Sequence, residues 1–165
     1  MTTLTLDVSR TTEAILFLST KISELNCSWL AELCYQADRL SLTMYGRVIT
    51  GASYSLEGGK IASDELLSLV EGREDINAMM GTISNHRALN EDNLSRSDMD
   101  CLTTVSSVFL DSLHYTGYSE LDYSETYPNT AQGELISLKA IAETIPNNEA
   151  LLQHLFEEKS VLPPA

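Results

Sequence analysis

The chain has 165 residues, 43% of them apolar and 21% charged, a balance long enough for one core without staples and at odds with global disorder. Ten basic residues against 24 acidic ones leave a formal charge of -14, which repels phosphate backbones and argues against ordinary nucleic-acid binding. No apolar run approaches the ~20 residues of a membrane span, and residues 1–7 have neither a basic start nor a long apolar stretch, so the expectation is a cytoplasmic protein without a secretory leader.

Ile15, Leu18, Ile22 and Leu25 are spaced three and four apart and predict an amphipathic helix over 11–25. Asn26 and Ser28 offer cap chemistry for a second helix over 29–42. Leu30, Leu33, Ala37 and Leu40 form its buried face, Trp29 and Cys34 widen it, and Glu32, Asp38 and Arg39 are assigned to water. Gly46 and Gly51 bracket a β-prone run that reaches Tyr54 and reads as turns plus a small strand or hairpin. Both glycines are expected to be backbone requirements of a turn, not ligand contacts. Gly58-Gly59 closes this segment.

Ser63-Asp64-Glu65 opens a short third helix, with acids at the positive end of its dipole, Leu66, Leu67, Leu69 and Val70 as its core side and Gly72 as its stop. Residues 82–89 read weakly as another strand. Ser95 and Ser97 precede a strong helix carrying Met99, Leu102, Val105, Phe109 and Leu113. Ser119 to Asp122 opens a short helix that must end by Pro128, because the residue before proline disfavours the α region. Ser137 caps a helix reaching Thr144, and Pro146 separates it from a last one. The expectation is a mainly α fold: one compact domain over 1–165 with about seven helices and a small β-hairpin or short sheet. Its core spans about 12–145, followed by a C-terminal helix over 148–159 and a short tail.

Enzyme signatures fail on inspection. Gly59-Lys60 is followed by Ile61 where a phosphate loop needs Ser or Thr, and no GxSxG elbow exists. His86, His114 and His154 are scattered. Cys27, Cys34 and Cys101 read as free, buried thiols, with no CxxC pair for zinc. The reading is therefore no catalytic set, no metal and no cofactor. One cluster stands out by composition. Tyr115, Tyr118, Tyr123 and Tyr127 are interleaved with Glu120, Asp122 and Glu125, and no Lys or Arg falls between Ser97 and Ser137. Tyrosine is enriched in binding hot spots, and acids around it suit an Arg- or Lys-bearing partner. The alternative is that two of the four tyrosines pack inward and the rest are incidental. The charge is uneven on a larger scale too, at -4 for residues 1–88 and -10 for residues 89–165.

The stretch Leu33-Cys34-Tyr35-Gln36-Ala37-Asp38-Arg39-Leu40 is similar to the LLYLADRL helix of SocA-like antitoxins, the Panacea domain of bacteria and phages. Tyr45-Gly46-Arg47-Val48-Ile49-Thr50-Gly51 resembles that family's YGRPITG segment, and Tyr54 falls where its next strand begins. Ser63-Asp64-Glu65-Leu66, Leu94-Ser95-Arg96-Ser97-Asp98 and the run Leu121 to Pro128 resemble later segments in the same order. The resemblance covers about residues 12–145. Gly58-Gly59 stands where the family has Gly-Pro, Glu125 replaces its usual His, and no Trp follows Pro128. The resemblance implies a non-enzymatic antitoxin that neutralises a cognate toxin by direct contact, in one mode as an adaptor to a ClpXP-type protease. The acidic charge suits a basic toxin. The expected contact residues are Tyr115, Tyr118, Glu120, Asp122, Tyr123, Glu125 and Tyr127, beside the 47–60 hairpin, with no direct nucleic-acid or membrane partner. The alternative function is an acidic phage-encoded inhibitor that mimics nucleic-acid charge against a host defence or DNA-binding protein.

Overall fold

The computed structural model describes residues 5–72, 76–79, 82–85, 89–116 and 121–157. Helix α1 (Val8–Lys21) begins at Asp7, whose side chain accepts the Arg10 N–H, and ends at Ile22. It starts and stops about a turn earlier than the apolar spacing predicts. Leu25 is buried from the loop beyond it, after Glu24 turns the chain with a positive φ of 59°. Helix α2 (Cys27–Tyr45) starts at Asn26, which accepts the Trp29 N–H at 2.8 Å. It stops at Gly46 in the left-handed region, φ 72°, where the Gly46 N–H closes on the Leu42 carbonyl.

The β-prone run after Gly46 is not itself a strand. Residues 48–53 form a loop, and the hairpin follows as β1 (Tyr54–Glu57) and β2 (Lys60–Ala62). Gly58 and Gly59 make its tip with φ of 60° and 81°, the sign a two-residue hairpin turn demands at both positions. Helix α3 (Asp64–Glu71) is capped by Ser63 at the Leu66 N–H and stops at Gly72. It buries Leu66 and Val70 but leaves Leu67 exposed. Strands β3 (Ile76–Met79) and β4 (Thr82–Asn85) form a separate antiparallel pair, β4 lying inside the expected strand.

Helix α4 (Arg96–Thr116) opens on a reciprocal box: Ser95 Oγ accepts the Asp98 N–H at 3.1 Å, and Asp98 Oδ2 accepts the Ser95 N–H at 3.0 Å. The helix expected over 119–128 is absent from its described part, residues 121–128, which are turns. Asp122 accepts the Ser124 N–H, and the Tyr127 N–H reaches the Tyr123 carbonyl in one helical turn that does not propagate. Strand β5 (Leu135–Ile136) pairs with the free side of β1, giving a three-stranded antiparallel sheet of order β2-β1-β5. Helix α5 (Leu138–Glu143) is capped by Ser137, and α6 (Glu149–Leu152) runs into a wider π-type turn, Gln153–Glu157. The described fold is thus a mainly helical domain of six α-helices with a small three-stranded antiparallel sheet. Its core gathers Ile15, Leu18, Leu33, Tyr35, Tyr54, Leu102 and Ile141, with α2 in contact with α4, α5 and the hairpin.

Candidate interaction site

The site begins with a buried carboxylate. Asp38 is 2% exposed, not on the wet side of α2 where its position in the apolar pattern placed it. Its Oδ1 accepts the Ile49 and Thr50 N–H groups at 2.8 and 2.9 Å, and its Oδ2 accepts the Thr50 and Tyr54 hydroxyls at 2.6 and 2.7 Å. Four donors therefore fold the 48–53 loop around one side chain and aim Tyr54 into the core. Burial raises the Asp38 carboxyl above its ordinary range; the hydrogen bonds from Thr50, Tyr54 and Ile49 act against that rise. Gly51, with φ of 71°, completes the loop, so Gly46 and Gly51 both occupy backbone conformations that favour glycine.

Tyr35, next to this hub, anchors the acidic tyrosine segment. Its hydroxyl hydrogen-bonds to that of Tyr127, and its ring meets Tyr54, Tyr123 and Tyr127 edge-on. The Tyr123 hydroxyl donates to Glu32 Oε1 at 2.6 Å and accepts from Gln36 Nε2. Desolvation pushes the Tyr35 and Tyr127 phenols up, so both stay neutral. Tyr123 and Tyr127 are 7% and 5% exposed. Their sequence context places them on the partner surface. The structure puts them inside, because a four-residue spacing across one helical turn points both rings the same way, into a pocket that already offers Tyr35. Glu32, also assigned to water, is buried as the acceptor of Tyr123. Arg39 donates to the Thr144 hydroxyl and carbonyl, both at 2.9 Å, and holds the end of α5 beside this cluster.

What the segment shows outward is its acids. Asp122 and Glu125 are exposed, and Leu121 keeps 53% of its surface. The expected neighbourhood with the hairpin is present: the Tyr123 N–H donates to the Gly59 carbonyl at 2.7 Å. A Cβ on Gly59 would lie 2.6 Å from Asp122 Oδ1. The following loop closes over the same tip. Gln132 accepts the Gly58 N–H and donates to Glu57, and the Gly133 N–H donates to the Leu56 carbonyl. Glu57 and Asp122 therefore meet the hairpin tip, and Glu125, Glu134, Leu121 and the 64%-exposed Leu135 are exposed along the segments that bond to the hairpin. The Ser124 N–H and hydroxyl hold the Asp122 carboxyl below its ordinary range, and the Lys60 charge adds to that. Tyr118 and Glu120 lie outside the described residues, as does the Tyr115 side chain.

Sequence reasoning missed Asp38, Thr50 and the Ser95–Asp98 box. Asp98 is also where Arg47 and Arg10 converge, at 3.1 and 3.6 Å, so the Gly46–Gly51 loop is tied to the start of α4. The three cysteines are free, with Cys34 and Cys101 buried, and burial raises their thiols away from nucleophilic use. Among the described residues there is no group of three or more His, Cys, Asp or Glu arranged to hold a metal ion, and no helix is long and apolar enough to cross a membrane. No family model matches the chain, and neither a curated protein nor a solved structure matches it.

Proposed function

We propose that this chain is a non-enzymatic antitoxin that neutralises a cognate basic toxin by direct contact, through the acidic region around the hairpin tip. The observation that carries the reading is the division of labour within residues 121–134. The tyrosines lock the backbone to α2, while Asp122 and Glu125 after exposed Leu121, and Glu134 next to exposed Leu135, face outward. A rigid backbone lowers the entropy lost on docking, and the acidic field steers a basic protein toward the leucines. The ordered similarity of the 33–40, 45–51 and 121–128 segments to SocA-like antitoxins supports the same reading. The Asp38 and Arg39 of the helix segment serve the fold here, through the 48–53 loop and the end of α5, and are not available to a partner.

The test is co-expression with the product of the adjacent reading frame. Growth arrest by that product alone and rescue by this chain are expected. A product that is harmless alone overturns the antitoxin reading. If this chain instead displaces DNA from a basic host protein, the nucleic-acid-mimic alternative takes its place.

A further inference from the structure

We draw no further inference here: the strongest candidate, the surface patch where Arg10 and Arg47 converge on Asp98 at the start of α4, flanked in the chain by exposed Val8, Met44 and Tyr45, carries nothing, since Asp7 and Asp98 already pair those guanidinium groups and nothing in the structure shows what covers the apolar residues.

Discussion

At the scale of single residues, Asp38 decides the most. Asp38→Ala strands two backbone N–H groups and two hydroxyls in the core, and should destabilise the fold by more than ~3 kcal/mol in denaturant unfolding. Asp38→Asn should cost far less, since its carbonyl keeps both N–H bonds and the Thr50 and Tyr54 hydroxyls can turn to accept from its amide. The pair also has a pH signature. Burial raises the folded carboxyl above its unfolded value, so the folded state binds the proton more tightly. The stability of the wild type relative to Asp38→Asn should therefore rise as pH falls through the raised folded value, and level off below the unfolded one. A difference independent of pH would mean that burial does not dominate at this site. Tyr123 makes a second residue-scale case. Tyr123→Phe loses the bond to Glu32 and should lower stability by ~1 kcal/mol, and Tyr123→Ala by ~3–5 kcal/mol, both measured without any partner. An effect confined to a partner's off-rate would return Tyr123 to the surface. Asp38 escaped a one-face reading of α2 because this helix is covered on more than one side. Cys34 and Ser41, four before and three after Asp38, are buried with it, and small residues at that spacing were the available signal.

At the scale of elements, caps and glycines were the legible features. Asn26, Ser63 and Ser137 start helices and Gly72 stops one where their chemistry predicts, because a cap is a local hydrogen bond that needs no tertiary partner. The failures have tertiary causes. Residues 48–52 look like a strand from their β-branched side chains, yet the Ile49 and Thr50 N–H groups go to Asp38, and that of Ala52 to the Thr50 hydroxyl, rather than to a ladder. Ile76-Asn77-Ala78-Met79 is too short for alternation to register, and the strand exists through its pairing with β4. Residues 121–128 carry helix-opening acids, but Asp122 spends its acceptor on Ser124 and the turn stops there. The start of α4 offers a test at this scale. Ser95→Ala removes the acceptor for the Asp98 N–H and should cost ~1 kcal/mol. Asp98→Ala should cost more, since it also releases Arg47 and Arg10 and loosens the Gly46–Gly51 loop. Since Ser95 Oγ also accepts from Arg47, equal losses for the two variants in thermal unfolding would mean that the ion pairs of Arg10 and Arg47 with Asp98 add nothing beyond the contacts of Ser95.

At the scale of the whole molecule, the mainly helical class followed from helical periodicity, which survives in the structure, whereas the hairpin lies at Tyr54–Ala62, after the run that Gly46 and Gly51 bracket. The candidate surface was legible only in part. Charge is a property of sequence, so the acidic field and its nearness to the hairpin could be read from composition and order. Which side of the backbone a tyrosine takes depends on Tyr35 and Glu32, far away in sequence, and no local pattern carries that. The 121–134 stretch separates its tyrosines from its charges: the rings of Tyr123 and Tyr127 inward as anchors, the carboxylates of Asp122, Glu125 and Glu134 outward. Glu57→Lys, Glu125→Lys and Glu134→Lys, which leave the Asp122 turn intact, measure that separation most directly when combined in one chain. With the adjacent-frame product as the partner, association rates should be followed across a salt series, alongside growth rescue in cells. If the exposed acids carry the docking surface, the melting temperature should stay unchanged to within a few degrees, association should slow at least about tenfold at low salt with its salt dependence flattened, and rescue should be lost. Full rescue by the triple variant, with wild-type association at every salt concentration, would contradict it.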